Sequence, residues 1–145
     1  MKVIYLVLLI FTLLELLNII ILYFFPDSTK GNGIAIFKQY ETLKKDEYSA
    51  SLIAYLVNWV ANSKLIFIAL LVVILLTGSE ETILYSVVVL TISILAFYWR
   101  MYPIIKSIGK KGGLVEKNYA QKLAITIAFF VGMFVIALLF YILSQ

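Results

Sequence analysis

Ionisable and amide side chains are rare in the apolar part of this chain, so each one is a candidate for function. Glu15 stands near the middle of the first apolar run, and Asn18 follows three residues later on the same helical face. A later run contains Asn58, Asn62 and Lys64. Such groups are costly to bury without partners in an apolar medium, so they form hydrogen bonds, form ion pairs or line transport paths.

The chemistry open to these residues is limited by what the composition lacks. The sequence contains no cysteine and no histidine. This excludes disulfides, thiol catalysis, the usual zinc ligand sets and a histidine general base. The sequence also shows no phosphate-binding glycine motif and no nucleic-acid motif. We therefore expect a protein that is not an enzyme, holds no metal or cofactor and does not bind nucleic acid.

The overall composition is that of an integral membrane protein. Of 145 residues, 63% are hydrophobic, and the mean hydropathy is +1.04. A water-soluble domain is about half apolar, so the excess is expected to face lipid. The sequence predicts an all-α, four-helix transmembrane bundle in a single domain, because a helix needs about 20 apolar residues to cross the bilayer. Four apolar stretches fit this length: residues 3–25, 52–77, 82–102 and 123–143.

The distribution of Lys and Arg predicts the orientation of the bundle. Ten of the twelve basic residues lie on one side of the predicted bundle. Nine are in the connections 26–51 and 103–122, and the tenth is Arg100, just before the second connection. The opposite side carries only Lys2. By the positive-inside rule both connections are predicted to be cytoplasmic and both termini extracytoplasmic, most simply in the cell membrane.

The connections themselves are expected to contain limited structure. Residues 34–51 show helical spacing, which predicts a short amphipathic helix that continues into the second span. The "TGSEET" segment predicts a tight turn between the second and third spans. In the second basic connection, Pro103 is expected to end a helix and the "GKKGG" segment to be flexible. Four basic side chains are candidates for contact with anionic lipid head groups: Arg100, Lys106, Lys110 and Lys111.

Helical geometry suggests partners for Glu15. Counting 1.5 Å per residue places Glu15 near the bilayer centre, at the level of the Thr91 and Ser93 hydroxyls. Asn58 and Asn62, four residues apart, are interpreted as the face of the second span that points into the bundle. Lys64 lies nearly opposite Asn62, so its long stem is expected to carry the ammonium to the head groups. Four groups are candidate hydrogen-bond or ion-pair partners of Glu15. They are the hydroxyls of Thr91 and Ser93, the amide of Asn62, and the Lys64 ammonium if it points inward.

The fourth span contains a regular series of small residues. Ala124, Ala128 and Gly132 recur every four residues, a pattern that lets a second helix approach closely. We expect this stripe to form a packing seam inside the bundle, with a dimer face as the alternative.

Two functional hypotheses follow from these features. The first is a non-enzymatic small membrane protein that acts by intramembrane association, as a subunit, accessory factor or immunity-type binder of a larger membrane component. The alternative is a small oligomeric channel or transporter with a polar path through Glu15, Asn18, Asn58 and Asn62. Replacement of Glu15 by Gln is expected to be nearly silent in the first case and to abolish flux in the second.

Overall fold

The chain is all-helical in the part that the structure describes. A computed structural model describes residues 2–29 and 33–144, and within them it contains no β-strand, only one isolated bridge between Phe37 and Leu114. A 3₁₀ turn covers Ile34–Ile36. The α-helices of the described residues are α1 (Lys2–Phe24), α2 (Tyr40–Leu43), α3 (Glu47–Thr77), α4 (Glu80–Lys110) and α5 (Tyr119–Leu143).

Four of these helices, α1, α3, α4 and α5, are long and apolar enough to cross a membrane. The prediction of four such helices from the apolar runs is therefore confirmed. Their outer surfaces carry many exposed Leu, Ile, Val and Phe side chains, which water would not favour but lipid would.

Short polar segments define where α3 and α4 begin. The Asp46 carboxylate accepts a hydrogen bond from the Ser49 amide at 2.9 Å, which caps the start of α3. Ser79 caps α4 in the same way, accepting from the Thr82 amide at 3.3 Å. Only residues 78 and 79 separate α3 from α4, so the predicted tight turn is present.

Helix α1 is the centre of the bundle. It packs against α3, α5 and α4, whereas α3 packs chiefly against α1 and touches α4 little despite their short connection. Helices α4 and α5 form the most extensive contact. The residues of α1 that point inward recur at alternating intervals of three and four, as in coiled-coil packing. This series is Ile4, Leu8, Phe11, Glu15, Asn18 and Leu22.

A second, smaller core lies where the end of α4 meets the start of α5. It is built around Ile105, Leu114 and Ala120. Two backbone hydrogen bonds join the two connections there, from the Lys38 amide to the Gly113 carbonyl and from the Val115 amide to the Ile36 carbonyl, each 2.9 Å long. We call this region, residues 33–46 and 111–118 with the adjoining ends of α3, α4 and α5, the cap.

The structure corrects the prediction for the second connection. Helix α4 continues through Pro103 to Lys110, eight residues beyond the predicted end at 102. A proline inside a helix forfeits one backbone hydrogen bond, and here the following turns bury Ile105 in the cap core. The "GKKGG" segment is the structured end of α4, where Gly112 adopts φ 74° and the Gly113 amide bonds back to the Ile108 carbonyl at 3.0 Å.

The first connection also differs from its prediction. Instead of one amphipathic helix running into the second span, it contains the 3₁₀ turn and the four-residue α2. Asp46, with extended backbone at φ −90° and ψ 120°, then separates α2 from α3. A side chain that caps the following helix favours this extended conformation, so the helical spacing of the sequence is interrupted at that point.

Candidate functional site

The polar residues in the bundle meet between α1 and α3. The Lys64 ammonium donates a hydrogen bond to Oε2 of Glu15 at 2.7 Å, forming an ion pair. The side chains of Lys64 and Glu15 are 26% and 21% exposed. The pair is therefore half-buried, in contrast to the fully buried apolar residues on either side of it, such as Leu8.

Both partners occupy inward positions of their helices. The inward residues of α3 are Ala61, Lys64, Ile68, Leu71 and Leu75, again at alternating intervals of three and four. Helices α1 and α3 run in opposite directions, because Asp27, just after α1, contacts the segment just before α3. With this orientation, the ion pair fixes how far α3 is shifted along α1.

The interpretation that Lys64 extends to the head groups is wrong. It rested on taking the face of Asn58 and Asn62 as the side of α3 that points into the bundle. The structure instead turns Ala61, which is fully buried, toward the bundle, and Lys64 is one turn further along that face. Because nearly every residue of α3 beyond this point is apolar, the sequence pattern does not distinguish its inner side from its outer side.

The two asparagines of α3 make local or peripheral contacts. Asn58 is exposed, and its amide donates to the Ala54 carbonyl of its own helix at 2.8 Å. Asn62 is also exposed and accepts a hydrogen bond from the Tyr23 hydroxyl of α1. The expected polar face toward the bundle is therefore not present, although Asn62 does link α3 to α1.

The hydroxyls of α4 are not partners of Glu15. Thr91 is buried and donates to the Val87 carbonyl one turn earlier at 2.7 Å. Ser93 is exposed on the outside of the bundle. Of the four partners that the sequence left open for Glu15, the structure selects Lys64.

Asn18 is the unusual member of the polar group. It lies one turn after Glu15 on the inward face of α1. Its Oδ1 atom is buried and has no hydrogen-bond partner among the described residues. An amide oxygen in this situation forgoes a bond worth about 1 kcal/mol, so the position is less well satisfied than the rest of the core.

An open groove adjoins the ion pair on the outer side of α3. It has a volume of about 350 Å³ and is lined by Trp59, Val60, Ser63, Lys64 and Phe67. The groove is apolar except for Lys64 and Ser63, and the Ser63 hydroxyl is already bonded to the Trp59 carbonyl at 2.9 Å. We call it the α3 groove.

The small-residue stripe is not a packing seam within the chain. Ala128 is exposed, and a methyl group added at Gly132 would meet no atom within 4 Å. Only Ala124 is at a contact, accepting a hydrogen bond from the Tyr98 hydroxyl at 2.6 Å. The seam of α5 is formed by larger residues, since Phe134 is fully buried and its ring lies 5.3 Å from that of Phe11.

The basic residues proposed for lipid contact all lie on the exposed side of α4 or at its end. Arg100, Lys106 and Lys110 are exposed on the helix, and Lys111 is its C-cap residue. The Lys106 ammonium lies 5.4 Å from the centre of the Tyr102 ring, a cation–π contact.

One polar contact of the cap was missed by sequence reasoning. The Tyr40 hydroxyl donates to Asp27, and the Lys44 ammonium lies 3.7 Å from the same carboxylate. This hydrogen bond to the Asp27 carboxylate, together with burial, raises the pKa of Tyr40 to about 12. Asp27 and Tyr40 are 13 residues apart and belong to no recognisable sequence motif, so the contact is visible only in the folded structure.

Comparison with known proteins gives no further assignment. No family model, no curated protein and no solved structure matches this chain. Among the described residues, there is also no group of three or more acidic side chains that could hold a metal ion. The site is therefore defined by its own geometry, as a half-buried ion pair between two apolar helices with an open groove beside it.

Proposed function

We propose that this chain is a non-enzymatic integral membrane protein that acts by helix association within the bilayer, as a subunit, accessory factor or immunity-type binder of a larger membrane component. The positive-inside pattern supports insertion in the cell membrane with both termini outside and the cap in the cytoplasm. The observation that carries the proposal is the position of α3, which packs chiefly against α1 and leaves the α3 groove open.

The ion pair explains how such an exposed helix is held. In a medium of low dielectric constant, removing one member of a paired charge leaves the other uncompensated, which costs about 3–5 kcal/mol. Lys64 and Glu15 therefore tie α3 to α1 at one position, although α3 makes few contacts with the rest of the bundle.

The same pair defines the chemistry of the partner. A lysine ammonium has three N–H donors, and Lys64 makes one hydrogen bond among the described side chains. Its remaining donors are next to the α3 groove. The complementary partner is a transmembrane helix with an apolar face and a neutral hydrogen-bond acceptor, because Glu15 already balances the charge of Lys64.

Site-specific photo-crosslinking in native membranes tests this proposal. A crosslinker at Phe67, in the α3 groove, is expected to give one defined product with another membrane protein. Ile136 on α5 provides the matched control, because it is 68% exposed but lies outside the groove. Equal crosslinking from Phe67 and Ile136 would count against the proposal, as would a product that contains only a second copy of this chain.

A small oligomeric channel or transporter is a second candidate, favoured by Asn18. Its buried Oδ1 atom has no partner among the described residues and lies one turn from Glu15, as expected for a residue that receives a water or an ion. Against this candidate, Asn58 lies on the outside of α3 and not beside Glu15 and Asn18. Such a path predicts an ion or proton flux that depends on Glu15.

A further inference from the structure

The exposed side of the last turns of α4 combines basic and apolar residues on one surface. Counting 100° per residue, these side chains fall within an arc of about 160°, and buried Ile105 lies opposite the middle of that arc. We call this surface the α4 basic face; it consists of Trp99, Arg100, Ile104, Lys106, Lys110 and Lys111.

The α4 basic face is held in a fixed position. The helix is continuous through Pro103, and Ile105 anchors it in the cap core together with Leu114. The hydrogen bond from the Lys38 amide to the Gly113 carbonyl ties the end of α4 to the first connection. Arg100, Lys106 and Lys110 therefore project from a helix, and Lys111 projects from the C-cap of that helix.

The lysines of this face are not paired with carboxylates among the described residues. None of Lys106, Lys110 and Lys111 forms an ion pair in the part of the chain that the structure describes. By contrast, Lys44 lies near two carboxylates, and Lys122 pairs with Glu116 at 2.5 Å.

The apolar members of the face distinguish a membrane surface from a soluble acidic partner. Trp99 is 78% exposed and Ile104 is 58% exposed, and both share this face with the basic residues. Tryptophan beside long basic side chains is typical of the membrane–water interface, where the ring and the stems are buried and the charges reach the head groups.

The length of α4 places this face at the right depth. Its 31 residues span about 46 Å, close to the 40–45 Å of a bilayer that includes both head-group layers. If Glu80 lies at one surface, the lysines near Lys110 lie in or at the edge of the opposite head-group layer.

From this combination we propose that the α4 basic face is a binding surface for anionic phospholipids of the membrane in which the protein resides. Phosphate oxygens accept hydrogen bonds from Arg100 and the three lysines, while Trp99 and Ile104 insert beside the upper part of the acyl chains. The proposal does not depend on the association function, because it concerns a different face of the protein.

Tryptophan fluorescence quenching tests this proposal on the full chain. The sequence contains two tryptophans, so a Trp59→Phe parent leaves Trp99 as a single reporter on the α4 basic face. The parent is reconstituted in phosphatidylcholine vesicles that contain small amounts of either dibrominated phosphatidylglycerol or dibrominated phosphatidylcholine. The two quenching curves give the relative association constant of the anionic lipid.

The expected preference for phosphatidylglycerol is at least about fivefold, since even one basic residue near an anionic surface contributes about 1 kcal/mol, or roughly fivefold in association constant. The triple variant Lys106→Gln/Lys110→Gln/Lys111→Gln is expected to lose this preference. A matched triple, Lys44→Gln/Lys45→Gln/Lys122→Gln, makes the same change in net charge elsewhere and is expected to keep it.

Two results would overturn the proposal. One is equal quenching by both lipids in the parent. That result would show that the α4 basic face does not bind anionic phospholipids, and that it binds a soluble acidic partner or no partner. The other is an equal loss of the lipid preference in both triple variants, which would show that the preference depends on net charge and not on the α4 basic face. If the Lys106/Lys110/Lys111 variant does not fold, the parent is measured at 1 M salt instead. The Debye length is then about 3 Å, so the preference for the anionic head group should disappear.

Discussion

The Glu15–Lys64 pair gives the sharpest prediction about the bundle. Two unit charges 2.7 Å apart attract by about 6 kcal/mol at an effective dielectric constant of about 20. The cost of removing two charged groups from water, several kcal/mol for each, offsets most of this attraction. Loss of one partner is therefore predicted to be far more damaging than loss of both.

We expect Glu15→Leu and Lys64→Leu each to lower the free energy of unfolding by about 3–5 kcal/mol, because each leaves one charge without its partner. The double variant is expected to lie within about 1 kcal/mol of the wild type or above it. Glu15→Gln should also destabilise, since Gln cannot balance the Lys64 ammonium. The earlier expectation of a nearly silent Gln substitution assumed a neutral partner, and the ion pair makes that assumption wrong.

Unfolding in mixed micelles, followed by circular dichroism, measures this double-mutant cycle. The pair of Lys122 and Glu116 is the matched control: its atoms are 2.5 Å apart, against 2.7 Å for Lys64 and Glu15, but its side chains are 67% and 46% exposed. Its coupling energy should not exceed about 1 kcal/mol. A coupling energy for Glu15 and Lys64 no larger than that of Lys122 and Glu116 would show that the Glu15–Lys64 pair does not stabilise the contact between α1 and α3.

Further predictions concern packing, the end of α4 and the cap. Phe134→Ala should destabilise the bundle by about 3–5 kcal/mol in a thermal unfolding assay, because Phe134 is fully buried. Gly132→Leu should be tolerated, because its added atoms begin in open space; a larger loss for Gly132→Leu would restore the seam hypothesis. Gly112→Ala should cost about 1 kcal/mol in the same assay, because φ 74° is unfavourable for a residue with a Cβ atom, and an unchanged midpoint would show that α4 does not end in this conformation. The raised pKa of Tyr40 means that its contribution to stability is full below pH 10 and is lost as the pH rises from 10 to about 12. Tyr40→Phe should flatten the pH dependence of unfolding in this range, and an unchanged profile would exclude the hydrogen bond to Asp27 as its source.

Much of the helical architecture could be predicted from the sequence because a helix long enough to cross a bilayer requires a continuous apolar run. Continuous apolar runs of about 20 residues identified the four long helices, and the "TGSEET" turn followed from Ser and Gly at a helix boundary. Helix ends outside the apolar runs were less predictable. Proline is disfavoured inside a helix, so the sequence predicted that the third span ends before Pro103. Burial of Ile105 in the cap core instead allows α4 to continue.

The candidate site was predictable in its members but not in its contacts. The rarity of charge in the apolar runs singled out Glu15 and Lys64. Which side of α3 points inward could not be derived, since the inner and outer residues are both Leu, Ile and Val. The amphipathic pattern that normally reveals the inner face is absent when lipid is the surrounding medium. For the same reason Gly132 was mistaken for part of a seam.

We propose that the polar residues of this bundle hold the helices together and do not conduct ions. Flux through purified protein in liposomes tests it most directly, measured as dissipation of an imposed proton or cation gradient beside a check of monodispersity. We expect the same leak as in protein-free liposomes, for the wild type and for the Glu15→Leu/Lys64→Leu double variant. A robust flux in the wild type that Glu15→Gln abolishes, with the variant still folded, would contradict association and establish a polar path through Glu15.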